Sequence, residues 1–240
     1  MKAIKSSVPI HLWNSIKFSE ELNKFLSTDL KLDPLDWTYI GSFGKKKYCS
    51  DVDIAVNETI LNLDSAYSKL TELGKEVRSF KGFNELSFGF NFDNAIIQVD
   101  LMFGKNLDWI SFMRYSPDFI HGQSKYAGVY RNLLFSAILI TESRIELESG
   151  DIRQMILRLD QGIFKVQKSI IDGKSRIVDE KFITDDPMQF TKILGLTGDC
   201  LTLESIISQV LLKPKCEEIF ERFNKFCNWN KLELWDKQTA

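Results

Sequence analysis

Two carboxylates one residue apart, in Asp51-Val-Asp-Ile-Ala-Val56, are the side chains of this 240-residue chain best suited to chemistry. An extended backbone has a side-chain period of two, so Asp51 and Asp53 share one face, roughly 7 Å apart along the strand. Carboxylates at that spacing can converge on hard cations such as Mg²⁺. Upstream, Gly41-Ser42 ends a β-branched and aromatic run. The glycine lets backbone approach a ligand closely, and the Ser42 hydroxyl and the amides beyond it can donate to phosphate oxygens. Between these two features lie Lys45, Lys46 and Lys47, and Lys45, directly after Gly44, is the candidate for a phosphate contact. A third carboxylate, Asp100, interrupts the apolar run Ile96-Ile-Gln-Val-Asp-Leu-Met102, where an unpaired charge is costly. Two divalent ions held by three aspartates would neutralise them, clamp a triphosphate, and stabilise the attacking and leaving oxygens of an in-line displacement. Asp100 is then placed to act as general base, or as the ligand that activates an acceptor hydroxyl.

These residues need strands and helices to hold them. Asp36–Ile40, stopped by Gly41, and Asp51–Val56 read as two strands, with Val52, Ile54 and Val56 on the face opposite the acids. Helices are expected over 19–31, with Ser19 as N-cap, and over 64–78, with Asp64 as cap and Tyr67, Leu70, Leu73 and Val77 inward. Leu86, Phe88, Phe90 and Phe92 alternate up to Asp93-Asn94, a two-residue turn, and Ala95, Ile97, Val99, Leu101 and Phe103 alternate on the way back. That hairpin places Asp100 opposite its apolar face. A core-facing helix is expected from about Ser124, then a hairpin over 155–170 turning near Gln161-Gly162 and a strand over 176–183 entered through Asp172-Gly173. Two closing helices follow, over 201–212 and 217–229.

Gly41-Ser42 alone suits an ordinary turn, and Asp-Val-Asp alone is common on exposed strands. Their order, together with Asp100 in a hairpin, is specific. Residues 39–56 with Asp100 resemble the signature of the polymerase-β-like nucleotidyltransferase superfamily: hG[GS], a spacer, Dh[DE]h, and a separate carboxylate on a later strand. Gly41, Ser42, Asp51, Asp53 and Asp100 match position by position, and the resemblance covers roughly residues 19–142. It implies an α/β (α+β) fold class, with a nucleotidyltransferase palm-like mixed β-sheet and flanking helices in residues 1–144. The change of pattern after residue 144, outside the resemblance, sets off a smaller C-terminal α+β accessory domain, residues 145–240, expected to select the acceptor or bind a partner. The resemblance further implies transfer of a nucleoside monophosphate from an NTP such as ATP, with Mg²⁺ or Mn²⁺ as two ions on Asp51, Asp53 and Asp100. Gly41, Ser42 and Lys45 would bind the nucleotide. Ser124 and Lys125 open the helix after the third carboxylate, where related enzymes contact the triphosphate or sugar.

Composition narrows the partners. Lysine and arginine total 31 against 33 acids, a net charge of −2, which is not the basic excess of a protein that coats nucleic acid. The acceptor classes open to it are an RNA or tRNA 3′ end, a protein, a small molecule or a second nucleotide, with an RNA end or a small molecule favoured. Four cysteines without a CxxC pair, and two histidines at no metal spacing, argue against zinc. No run of 18 apolar residues and no leader-like start is present, so no membrane span and a cytoplasmic location are expected. The rival class is a non-catalytic nucleotide- or RNA-binding regulatory protein that retains the fold. Three retained acids, whose mutual repulsion destabilises without metal, speak against it.

Overall fold

Alternating apolar residues build the N-terminal half around one mixed sheet. The computed structural model describes residues 3–80, 84–116, 128–198 and 200–230. A first compact unit, residues 1–123, runs β1 (Ile10–His11), α1 (Ser15–Thr28), β2 (Trp37–Ile40), β3 (Tyr48–Cys49), β4 (Asp51–Asn57), α2 (Leu63–Glu72), β5 (Val77–Ser79), β6 (Glu85–Phe92), β7 (Ala95–Gly104) and α3 (Leu107–Met113). Five strands join in the order β2-β4-β7-β6-β5. β4 and β7 pair parallel and the other neighbours antiparallel, while β1 and β3 form a separate two-stranded ribbon. Asp93 and Asn94 take φ of 44° and 61°, the left-handed pair that closes a tight hairpin between β6 and β7.

One sheet face carries the core. Val52, Ile54, Val56, Leu86, Phe88, Phe90, Val99, Leu101 and Phe103 pack with Phe18, Leu22 and Leu26 of α1 and with Ala66 and Leu70 of α2. The i, i+4 spacing of the α1 residues makes a single stripe, and each such side chain contributes about 1.5–3 kcal/mol on burial. Two helices differ from the sequence expectation. α1 begins at Ser15, so Ser19 lies inside it, donating to the Ile16 carbonyl rather than capping. α2 is capped by Asn62, whose side chain accepts from Ser65 N, and Asp64 sits in its first turn. It ends at Glu72 because Gly74 turns left-handed at φ 69°, which releases Val77 into β5 opposite Phe88 and leaves Tyr67 and Leu73 exposed.

The second unit, residues 124–240, runs α4 (Gly128–Ser143), β8 (Ile145–Glu146), β9 (Ile152–Arg158), β10 (Gly162–Ile171), β11 (Lys174–Thr184), α5 (Pro187–Ile193), α6 (Leu203–Val210) and α7 (Cys216–Trp229). Its sheet is antiparallel in the order β11-β10-β9-β8. Asp172 and Gly173, at φ 52° and 72°, make the turn into β11. The division falls before α4, not at residue 144 where the sequence pattern changes. α4 packs on α7 and β9, and its Phe135 ring meets Phe190 of α5, so its apolar side is buried within the second unit. Both units mix helices with sheet, so the fold class is α+β with a mixed sheet in the first unit. Among the described residues no helix is long and apolar enough to cross a membrane.

Candidate active site

Strand register gathers the acids. Parallel pairing of β4 with β7 sets Asp53 directly beside Asp100 and Asp51 beside Gln98. Antiparallel pairing of β6 with β7 adds Ser87 beside Asp100 and brings in Glu85 one row further on, beside Met102. All six project from the face opposite the α1/α2 core, by the strand period of two. The same face turns apolar where Ile40, Ala55 and Met102 meet Ile110 of α3, so α3 covers only that end of it.

Gly41 follows β2 and lies against this row. Its φ is +67°, and a Cβ placed there would stand 2.0 Å from Asp53 Oδ2. Conformation and space both require glycine, and they do so because the backbone passes hard against a carboxylate. Gly41 N donates to the Arg114 carbonyl at 3.3 Å and bridges to Tyr115, while the Ser42 carbonyl accepts from Cys49 Sγ at 3.1 Å. Lys45 Nζ donates to the Ser116 carbonyl at 3.0 Å and sits 4.4 Å from the centre of the Tyr115 ring. The Gly-Ser turn is thus clasped between β3 and the segment that leaves α3. Lys45 is drawn inward by these contacts, and Lys47 lies over the Tyr48 ring.

Burial and like charge shape the titration of these groups. Asp53 is pushed up to about 7, first by burial and then by Asp51 and Asp100, with Arg114 pulling the other way. Asp100 is pushed up to about 6 by burial, which outweighs the Ser87 hydroxyl and the Gln98 amide that favour its charged form. Glu85 is raised by burial and held back by Arg114, whose Nη2 is 3.7 Å from Glu85 Oε2. Gln98 Nε2 donates to both Asp100 oxygens, at 3.0 and 3.1 Å. Ser87 Oγ is buried, close to Asp100, and makes no hydrogen bond of normal geometry.

Asp51, Asp53 and Asp100 offer carboxylate oxygens of the kind a hard divalent cation takes, and their repulsion would be relieved by positive charge. They are not drawn into a coordination shell: among the described residues no group of three or more His, Cys, Asp or Glu is arranged to hold a metal ion. The register therefore brings Asp51, Asp53 and Asp100 to one strip and Gly41 against it, with Ser42 and Lys45 in the adjoining turn. Ser124 and Lys125 lie outside the described residues. Sequence reasoning missed Gln98, Ser87, Glu85 and Arg114. Gln98 carried a signal, a polar residue two positions before Asp100 and on its face. Arg114 carried none, since it reaches the acids only through the packing of α3.

No family model matches the sequence, and no curated protein matches it. Among solved structures the chain is similar to polymerase beta of Leishmania infantum in a ternary P/T complex, at 13% identity and a TM-score of 0.46, over 81% of this chain and 76% of that one.

Proposed function

We propose that this chain is a metal-dependent nucleotidyltransferase, moving a nucleoside monophosphate from an NTP to a hydroxyl acceptor and releasing pyrophosphate. The observation that carries the reading is the bare Cα of Gly41 against Asp53 Oδ2, in the row where Asp53 adjoins Asp100. A glycine forced by a neighbouring carboxylate on a phosphate-type turn has little purpose in a purely structural sheet. Asp51, Asp53 and Asp100 would hold two Mg²⁺ or Mn²⁺ ions, which supply charge neutralisation for the triphosphate and for the developing oxyanions. Gly41, bare of a Cβ, would let the triphosphate approach the turn, Ser42 would bind it through its backbone amide and hydroxyl, and Lys45 lies at the edge of that turn. Asp100 takes the proton from the acceptor hydroxyl as its oxygen bonds to the α-phosphorus, and the bond to the bridging oxygen breaks with pyrophosphate leaving.

The acceptor is an RNA end or a small molecule. The second unit bears that choice in this reading. Its sheet exposes Arg153, Lys165 and Lys181 around a groove of about 200 Å³, a charge that suits a phosphate-bearing acceptor. The four free cysteines suit a reducing compartment such as the cytoplasm.

Incubation with each α-³²P NTP and Mg²⁺ or Mn²⁺, with and without cellular RNA, tests the function. Label should move onto RNA or a small product with the wild type and not with Asp53→Asn. Equal transfer by that variant would reject the assignment. The rival, a nucleotide-binding regulator without turnover, is favoured by one observation: among the described residues no group of three or more His, Cys, Asp or Glu is arranged to hold a metal ion. Clear NTP binding with no label transfer under any of these conditions would establish the rival instead.

A further inference from the structure

We infer that Gln98 is a positioning residue for Asp100, and that its orientation is set by the backbone of the N-terminal segment. A glutamine amide has a donor end and an acceptor end, and its partners decide which way it faces. Here Gln98 Oε1 accepts from Ala3 N at 3.0 Å and from Ile4 N at 3.1 Å. Two donors fix the acceptor end, so Nε2 has to face Asp100, where it meets Oδ1 and Oδ2. The opposite orientation would set a carbonyl against a carboxylate and an NH₂ against two N–H groups. Ala3, Ile4, Gln98 and Asp100 are all buried.

The segment is itself pinned. Ser7 N and Ser7 Oγ both donate to the Ile4 carbonyl, at 3.2 and 2.8 Å, and Val8 N donates to the Ile96 carbonyl of β7 at 2.8 Å. A continuous series of hydrogen bonds therefore runs from residues 3–8, through one side-chain amide, to Asp100. A carboxylate has about four lone-pair sites, so a single donor fixes the plane of Asp100 and leaves capacity for a proton or a cation. Ser87, which the register sets beside Asp100, favours its charged form without a hydrogen bond of normal geometry, and Gln98 supplies the hydrogen bonds that tie this carboxylate to the N-terminal segment. Losing an outer partner of this kind typically costs 10- to 100-fold in metal affinity or activity.

The inference rests on reading Asp100 as part of the transfer site, and its test separates the two. Gln98→Leu removes the donor and the acceptor. Gln98→Glu at pH 8 keeps the acceptor that Ala3 and Ile4 need and loses the donor. Both variants should lower kcat by about 10- to 100-fold with KM for NTP changed less than about threefold. Gln98→Leu should also weaken Mn²⁺ binding, titrated on the nucleotide-free protein, by about tenfold. Hydrogen exchange at the Ala3 and Ile4 amides should speed up in Gln98→Leu and stay slow in Gln98→Glu. If Gln98→Glu keeps wild-type kcat while Gln98→Leu loses it, Gln98 merely fastens the N-terminal segment and the inference is overturned. Unchanged kcat in both variants overturns it as well. Should the wild type show no transfer, the functional reading fails on its own, and Mn²⁺ affinity then decides the inference: equal affinity in wild type and Gln98→Leu rejects it.

Discussion

Asp53 and Asp100 are held near pKa values of about 7 and 6, first by burial and then by neighbouring acids, Asp51 and Asp100 for Asp53 and Asp51 and Glu85 for Asp100, against about 3.9 for an aspartate in an unfolded chain. Between those limits the folded protein binds more protons than the unfolded one, so its stability must fall as pH rises. For the metal-free protein, the contribution of the two groups is complete below about pH 4 and is lost as pH climbs through 6 to 7. The slope is at most about 1.4 kcal/mol per pH unit for each proton. A series of melting temperatures from pH 5 to 8 should therefore decline in the wild type and flatten in Asp53→Asn, and Mg²⁺ should restore stability most at pH 8. A wild-type curve as flat as that of the variant would show that these carboxylates are not strained. Activity moves the other way: Asp53→Asn should lose more than about 100-fold in transfer, beyond the cost of an outer-shell loss. Gly41→Ala should be both unstable and inactive. It forces a left-handed alanine at about 1–3 kcal/mol and drives a methyl into Asp53 Oδ2. Denaturant midpoints measure the first effect and label transfer the second.

Position within elements decides what was legible in advance. The β6–β7 hairpin was readable because alternation on both arms and the Asp93-Asn94 turn agree, and that alternation placed Asp100 off the apolar face. The strands bearing Gly41 and Asp53 were readable for the same reason. The adjacency of Asp53 and Asp100 was expected from the match to the superfamily signature and not from periodicity, because it arises from parallel pairing of β4 with β7, strands separated by α2 and part of the hairpin, and periodicity says nothing about which strands pair. α3 and β5 escaped notice for want of length: seven and three residues are too short for a period to emerge. With α3 went Arg114 and the clasp on the Gly-Ser turn. That clasp makes a prediction about Lys45, whose ammonium bonds the Ser116 carbonyl and stacks on Tyr115. Lys45→Ala should loosen the turn and raise KM for NTP several-fold while kcat changes little. An unchanged KM would mean that the remaining contacts, Gly41 to Arg114 and Ser42 to Cys49, are enough to hold the turn without it.

At the scale of the whole molecule, the proposed reaction would give the nucleotide to the first unit and the acceptor to the second, whose sheet carries a local electrostatic cost. Lys165 stands directly opposite Lys181 in the β10–β11 register, and like charges so placed destabilise a sheet by about 0.2–1 kcal/mol. Arg153 lines the same groove, donating to Gln167, with Asp179 as the one acid there. An anion lying in an exposed concave face with an excess of positive charge would relieve that repulsion. For an RNA acceptor the consequence can be measured: Lys165→Glu with Lys181→Glu should reduce transfer to RNA. It should also make that transfer less sensitive to salt, by about 0.7 in logarithmic slope for each phosphate contact removed. Stabilisation of the protein by Mg²⁺ and NTP should be unchanged, because on the proposed reading the nucleotide would be held by the first unit. Replacing the pair by alanines should raise the melting temperature slightly, as the repulsion disappears. Unaltered transfer to RNA in the charge-reversed protein, with the same salt dependence, would take this groove off the acceptor's path and return the choice to a small-molecule acceptor.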